Sequence, residues 1–223
     1  MQGLWPLRLV DSDRILSREE CESILRRAIA LARGGGETQV RVMSWWNGEL
    51  RWARNRVSLA SDRRDIRVDV FRTVGLGRGN VSTNQVDDES LEAAVRAAER
   101  AACISPNLVQ DLPGMPPRPH VERPKTAIWS DATYAVTPET RGEVARVLVD
   151  PAEAKGMLSA GYLEMRAGAM MAESSERLGN FDGPADVPYV TWTQAQCSMT
   201  VRDQKGAGSG WAGLSGYDWT RID

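Results

Sequence analysis

Residues 66–91 read IRVDVFRTVGLGRGNVSTNQVDDESL, and their pattern indicates the fold class. Its first part alternates apolar and polar side chains, which is the period of a half-buried strand. The glycine-rich segment 75–79 turns the chain, and residues 80–85 return as a second strand. Asp87 or Asp88 then caps a helix, because a carboxylate can accept hydrogen bonds from the free amides of the first turn. Two strands joined by a short turn and followed by a helix predict the α+β class with an antiparallel sheet.

A first helix precedes these strands. Ser17 and Glu20 have the spacing of a capping box, in which each side chain accepts a hydrogen bond from the other residue's backbone amide. Apolar residues then recur at mostly helical spacing, and the glycines at 34–36 end the helix. The apolar stripe consists of Cys21, Ile24, Leu25, Ala28, Ile29 and Leu31.

The sequence predicts a further hairpin between this helix and the strands above. Asn47-Gly48 is the dipeptide best suited to the positive φ angles of a two-residue turn. We therefore expect strands at about 38–46 and 49–60. One helix, about four strands and a second helix would form an N-terminal α+β domain at residues 1–104.

A proline-rich connector is predicted at residues 105–125. Proline fixes φ and removes a backbone donor, so the segment is typical of an extended linker and not of a helix or strand. It is the best domain boundary in the sequence. Its prolines are Pro106, Pro113, Pro116, Pro117, Pro119 and Pro124.

Residues 126–223 are predicted to form a second α+β region. The sequence TPE that begins at residue 137 supplies a capping hydroxyl, a proline at the first helical position and an acid in the first turn. Strand-like segments follow near 160–172 and 189–202. The apolar face of the helix is predicted to consist of Val144, Val147 and Leu148.

The composition excludes several classes of protein. The chain has 223 residues, with 28 basic and 30 acidic side chains and a net charge of -2, so no global basic field attracts nucleic acid or anionic lipid. No apolar run approaches the roughly 20 residues of a membrane-spanning helix, and the first residues do not resemble a secretory signal. The cysteines at 21, 103 and 197 are odd in number and far apart, which favours free thiols in a reducing, cytoplasmic compartment.

No catalytic, cofactor-binding or metal-ligating residue can be assigned from the motifs. The only histidine, His120, lies in the connector without a Cys, His or carboxylate at ligand spacing. The glycines at 75–79 lie between two strands, and those at 206–210 have no following P-loop lysine, so both segments are predicted turns. Asp87, Asp88 and Glu89 could bind a cation, but a helix N-terminus attracts carboxylates without any metal.

Tryptophans and arginines on the predicted strands could instead form a base-stacking surface for nucleic acid. Glu49, Asp62 and Asp65 dilute the positive charge, and strand tryptophans are most often packing residues. We therefore regard nucleic-acid binding as the least favoured function. The candidate residues are Trp45, Trp46, Trp52, Arg51, Arg54 and Arg56.

Several segments in order resemble the N-terminal half of the TldD/PmbA family, the modulator-of-gyrase metallopeptidases. LRWARN at 50–55 is similar to a first-strand motif of that family, and TNQVDDESL at 83–91 is similar to its passage into a second helix. The resemblance spans most of the chain, from about residue 17 to the end. The remaining segments are SDAT at 130–133, TPE at 137–139, GYLE at 161–164, TVRD at 200–203 and GSGWAG at 208–213.

The resemblance implies a cytoplasmic peptidase system of bacteria or archaea that acts on unfolded or extended peptides. In the family, a zinc-bearing TldD-type subunit commonly pairs with a metal-free PmbA-type subunit. The N-terminal region helps to form the dimer and its enclosed chamber, and an H-E-x-x-x-H zinc helix lies in the C-terminal half. This sequence contains no such motif, and 173–176 is at best a degenerate form of the family's N-S-x-G segment.

We therefore expect a non-catalytic scaffold and dimerisation portion of such a peptidase, truncated before the catalytic half and inactive alone. Its partners would be a second TldD/PmbA-type subunit and an unfolded peptide, with no membrane contact. Zinc would belong to the catalytic half of a TldD-type protein. The alternatives are a stand-alone binding or assembly module derived from that family and, less favoured, a nucleic-acid-binding protein.

Overall fold

The computed structural model of the chain describes residues 15–104, 128–175 and 189–221. In chain order the elements are α1 (Arg18–Ala30), β1 (Glu37–Ala53), β2 (Arg56–Val74), β3 (Gly77–Thr83), α2 (Asp88–Ile104), α3 (Asp131–Tyr134), α4 (Pro138–Ala154), β4 (Met157–Ser174), β5 (Tyr189–Asp203), β6 (Ser209–Gly216) and a 3₁₀ helix (Trp219–Arg221). The six strands form one antiparallel sheet in the order β3-β2-β1-β4-β5-β6, flanked by helices. This architecture confirms the predicted α+β class.

The described residues belong to two compact units. The predicted connector at 105–125 lies outside the described residues, and the predicted domains 1–104 and 126–223 stay predictions. The four longest strands each contribute residues to both units. Unit 1 contains residues 15–44, 65–104, 169–175 and 189–190, and unit 2 contains residues 45–64, 128–168 and 191–221.

The core of unit 1 confirms the predicted first helix and its cap. The Glu20 amide donates to Ser17 Oγ, and the Ser17 amide donates to Glu20 Oε2 over 2.8 Å. The apolar stripe of α1 packs against the strands. Burial of such a stripe provides most of the stability of an amphipathic helix. Of the predicted stripe, Ile29 and Leu31 are only partly buried against the core. The other four residues join Leu16 and side chains of α2, β1, β2 and β4 in one buried cluster: Leu16, Cys21, Ile24, Leu25, Ala28, Val40, Val42, Val68, Val70, Leu91, Ala94, Val95, Ala98 and Met171.

The glycine-rich segment 75–79 is the predicted turn, and it also has a packing role. Val74 pairs with Gly77 across the two-residue turn, and Gly75 has φ 58°. A Cβ on Gly77 would lie 1.9 Å from the carbonyl oxygen of Ala102 in α2, and a Cβ on Gly79 would meet α2 backbone at 2.1 Å. The glycines therefore allow α2 to approach the backbone of β3.

The predicted turn at Asn47-Gly48 is wrong. Strand β1 continues through this dipeptide to Ala53, and the chain turns at Arg54 and Asn55, whose φ angles are 53° and 62°. Two successive residues with positive φ are the signature of the type I′ turn that asparagine tolerates well. A Cβ on Gly48 would lie 2.5 Å from the Trp46 ring, so this glycine serves close packing within a straight strand.

Helix α4 begins where the sequence predicts, but its buried face is a different one. The Thr140 amide donates to Thr137 Oγ1 over 3.2 Å, and proline occupies the first turn. The predicted apolar residues Val144, Val147 and Leu148 are only partly buried or exposed. The buried face of α4 includes a charged residue, which the apolar pattern of the sequence could not indicate. The buried residues are Arg141, Ala145, Val149 and Ala152.

Candidate interaction surface

The described residues do not fit a zinc site. They contain no histidine, because His120 lies outside them. In the described ranges 15–104, 128–175 and 189–221, no group of three or more His, Cys, Asp or Glu side chains could hold a metal ion. Structural and catalytic zinc need three or four such donors at about 2.0–2.3 Å. This part of the chain therefore supplies no ligand set for a catalytic zinc ion.

Two of the three cysteines, Cys21 and Cys197, are poor nucleophiles. Burial raises the pKa of the Cys21 thiol to about 12, and the neighbouring Glu20 carboxylate adds to the shift. Burial also raises the pKa of Cys197. A thiolate, not a thiol, attacks a substrate, so neither residue supplies a nucleophile near neutral pH. Cys103 is exposed.

The carboxylates at the start of α2 have structural partners. Asp87 Oδ1 accepts a hydrogen bond from the Ser90 amide over 2.8 Å, and this bond holds the pKa of Asp87 below its usual value. Asp88 forms an ion pair with Arg27 of α1 over 2.6 Å. These contacts identify Asp87 as the N-cap of α2. Asp87 and Asp88 thus have structural partners at the helix N-terminus, as the sequence predicts.

Asp69 is the most deeply buried acid of unit 1. Burial raises its pKa, but hydrogen bonds from Ser82, Arg67 and Arg41 outweigh that effect, and the net pKa lies below the usual value. The Ser82 hydroxyl donates over 2.6 Å, and the Arg67 and Arg41 guanidinium groups donate over 2.7 and 2.9 Å. This network fixes a buried charge in the sheet and occupies two arginines.

Of the three tryptophans named for the least favoured alternative, a nucleic-acid surface, only Trp45 is partly exposed. Trp46 and Trp52 are buried, and Trp46 Nε1 donates to Asp62 over 2.8 Å. The Arg141 guanidinium lies 5.9 Å from the Trp46 ring centroid and also binds Asp62. These tryptophans pack the interior of unit 2 and cannot stack on bases.

Unit 2 instead exposes an apolar surface, which we name the α4–β6 groove. Its volume is about 300 Å³. Val147 is 73% exposed and Leu214 is 51% exposed, which is unusual for two aliphatic side chains in one concave surface. The lining residues are Val144, Val147, Leu148, Leu163, Met165, Cys197, Met199, Ala212, Gly213, Leu214 and Trp219.

The strand register explains why these side chains meet. In the β5–β6 pair, Cys197 lies opposite Leu214 and Met199 lies opposite Ala212. Residues directly opposite each other share a face of the sheet, so both pairs point into the groove. Leu163 and Met165 of β4 extend the same floor. Only the register shows this, because Cys197 and Met199 do not stand out in the sequence.

Strand β6 has little cover of its own. It is the last strand of the sheet order, and nearly all of its residues are exposed. Trp211 is 69% exposed, and its ring lies over Gly213 on the strand itself. An exposed edge strand beside an apolar groove is typical of a protein–protein contact.

Solved structures show the same architecture. TldE from Thermococcus kodakarensis matches with a TM-score of 0.71 and 15% identity, covering 88% of this chain and 43% of its own. A proposed modulator of DNA gyrase from Thermotoga maritima matches with a TM-score of 0.70 and 10% identity, covering 91% and 44%. A second such modulator, from Bacteroides thetaiotaomicron, matches with a TM-score of 0.74 and 14% identity, covering 92% and 46%.

The chain has the fold of these proteins. The comparison confirms the TldD/PmbA resemblance at the level of the fold. The chain spans less than half the length of each of these solved neighbours. No family model matches the sequence, and no curated protein matches it. No helix in the described part of the chain is long and apolar enough to cross a membrane.

Proposed function

We propose that this chain is the non-catalytic scaffold and dimerisation portion of a TldD/PmbA-like peptidase system of the cytoplasm. One observation carries the proposal: the TldD/PmbA-type fold covers about nine-tenths of this chain and under half of each neighbour. The described residues also offer no donor set for the zinc expected in a TldD-type subunit. The proteolytic step is therefore assigned to a part of the peptidase that these residues do not form.

The scaffold acts by binding, and the α4–β6 groove is the surface that we assign to a second TldD/PmbA-type subunit. An exposed apolar surface gains free energy when a partner removes it from water, at about 25 cal/mol per Å². Val147 and Leu214 are the most exposed aliphatic residues of the groove. The apolar lining suits an aliphatic or aromatic anchor residue from the partner.

The first experiment separates scaffold from enzyme. The purified 223-residue chain is incubated with zinc and an unfolded peptide, alone and together with a TldD-type subunit from the same genome. We expect no cleavage by the chain alone. Zinc-dependent turnover by the chain alone would overturn the assignment.

The second experiment tests the groove. Val147→Asp and Leu214→Asp place a charge in the apolar surface, and each should weaken co-elution with the TldD-type subunit by at least about tenfold in affinity, as expected when a buried charge lacks a partner. Arg146→Asp is the matched control, because it adds the same side chain at an exposed neighbouring position of α4. Equal loss with the control, or undisturbed binding by both groove variants, contradicts the assignment. A chain that binds no such subunit would instead favour the stand-alone module.

A further inference from the structure

The first half of β2 has an open edge. Strand β3 pairs only with residues 68–74 of β2, and β1 lies on the other side of β2 in the sheet order. In unit 2, residues 56–64 of β2 therefore have no strand on their outer side within the described part of the chain. Almost all of these residues are exposed, and Val57 and Leu59 are 58% and 42% exposed.

This edge carries an unusual concentration of positive charge. Arg54, Arg56, Arg63 and Arg64 are exposed, and their side chains make no hydrogen bond or ion pair with other described residues. The two nearest acids in sequence have other partners: Asp62 is engaged by the Arg141 guanidinium and the Trp46 indole, and Asp65 Oδ1 accepts a hydrogen bond from the Ile66 amide over 2.9 Å. The edge is thus basic even though the whole chain is slightly acidic.

The combination points to a particular partner. An open strand edge presents free backbone N–H and C=O groups, which another extended segment can pair. Four unpaired arginines select carboxylates on that segment. Val57 and Leu59 favour aliphatic residues close by, because cross-strand neighbours of this kind stabilise a pair by about 0.2–1 kcal/mol.

A second copy of the chain fits this edge poorly. Antiparallel pairing of two copies centred on Ala60 would place Arg56 of one copy opposite Arg64 of the other. Like charges that lie directly opposite each other destabilise a strand pair. A nucleic acid could use the arginines, but it would leave the backbone groups unpaired and the aliphatic side chains without a contact.

We propose that the edge formed by residues 56–64 of β2 binds an extended, acidic segment of another polypeptide as an added strand. Carboxylates of the segment pair with the arginines, and its backbone continues the sheet. This edge shares no residue with the α4–β6 groove. The proposal does not depend on the peptidase assignment.

The test uses the full chain and a fluorescent peptide of alternating Glu and Val residues. We expect saturable binding that weakens with added salt, because the arginines and carboxylates are near the surface. Arg56→Glu combined with Arg64→Glu should weaken binding by at least about tenfold, since two attractive pairs become repulsive. The control combines Arg100→Glu with Arg146→Glu, two exposed helix positions with the same change in net charge, and should leave the affinity within about twofold.

Backbone pairing needs its own readout. A peptide of the same charge with proline at alternate positions lacks the required donors and should not bind. Hydrogen exchange of the amides of residues 56–64 should slow when the all-Glu/Val peptide is present. Circular dichroism of each variant establishes that the fold is retained.

Each contrary result overturns the proposal. Equal weakening by the control variant would show a general charge effect, and binding of the proline peptide would show that the backbone is not used. Tighter binding of a single-stranded oligonucleotide would favour nucleic acid, and dimerisation through this edge would favour a second copy. No binding of the Glu/Val peptide would contradict the proposal and would indicate that the arginines only discourage edge-to-edge aggregation. Val147→Asp should not alter peptide affinity, so failure here and failure of the groove assignment are distinguishable.

Discussion

Replacing Asn55 tests whether the β1–β2 turn is held by one side chain. Asn55 Nδ2 donates to the Met157 carbonyl over 2.8 Å. Its Oδ1 accepts from the Ser159 amide over 2.6 Å and from the Ser159 hydroxyl over 2.8 Å. Three hydrogen bonds, one of them to the amide of a buried serine, thus join the turn to the start of β4.

The expected loss follows from these contacts. Each hydrogen bond contributes about 1 kcal/mol net, so Asn55→Gly, which keeps the freedom to adopt φ 62°, should destabilise the protein by about 2–3 kcal/mol. Asn55→Ala loses the same hydrogen bonds but keeps a Cβ in the left-handed region, so it lacks the relief of about 1 kcal/mol that glycine gains there, and its total loss should be about 3–4 kcal/mol. Asn55 is half-exposed, and water replaces part of what is lost, so these totals lie toward the lower end of the summed contacts.

Urea denaturation followed by tryptophan fluorescence measures the free energy of unfolding. The matched control is Asn47→Ala, because the buried Oδ1 of Asn47 has no hydrogen-bond partner among the described residues. We expect a change of less than about 0.5 kcal/mol for this control. If Asn55→Gly is as stable as the parent chain, the hydrogen bonds do not hold the turn. If Asn55→Ala and Asn55→Gly have the same free energy of unfolding, the left-handed backbone at residue 55 carries no measurable cost for alanine.

Three further outcomes are expected. Gly79→Ala should destabilise the protein by about 1–3 kcal/mol in urea, because the new Cβ collides with the backbone of α2, while Gly208→Ala, in open space, should change the free energy of unfolding by less than about 0.5 kcal/mol; equal effects would contradict the close approach of β3 and α2. The folded pKa of Asp69 lies below its unfolded value of about 3.9, so its stabilisation is present above that pH and is lost as the pH falls toward the folded pKa. Unfolding curves between about pH 5 and 2.5 should show this loss, and a variant with Asp69→Asn that retains the full slope would refute it. A thiol reagent should label Cys103 in the native protein well before Cys21, because Cys21 is buried and its pKa is raised to about 12; equally fast labelling of both would contradict that burial.

The helix starts could be read from the sequence, because their signals are local. Ser17 and Glu20 satisfy each other's amides, and Thr137 caps α4 with Pro138 in the first turn. These interactions span three residues and need no distant partner. The alternating pattern of β2 and the turn before β3 were predictable for the same reason.

The choice of hairpin turn was not predictable from local preference. Asn47-Gly48 has the favoured turn composition, yet the inward face of β1 continues through it from Val42 to Trp52. A turn at Asn47 would break that face in two, and the register of buried side chains outweighs the preference of a dipeptide. The continued alternation from residue 40 to 52 was the signal in the sequence for one long strand.

The candidate surfaces depended on contacts between distant residues. The α4–β6 groove requires the register that places Cys197 opposite Leu214, and the open edge of β2 requires that β3 be too short to cover it. Neither fact has a local signature. Two of the three tryptophans that suggested a nucleic-acid surface, Trp46 and Trp52, are buried, and Asp62 and Arg141 contact Trp46.

The helices, the strands and most of their ends follow from the sequence, because capping and alternation act within a few residues. The single histidine at position 120 is a matter of composition and needs no fold. The tertiary structure decided which dipeptide turns, which aliphatic side chains of α4 are covered and which strand edge remains open. Those outcomes depend on the register in which the strands pair, and a shift of one residue would move every side chain of a strand to the opposite face of the sheet.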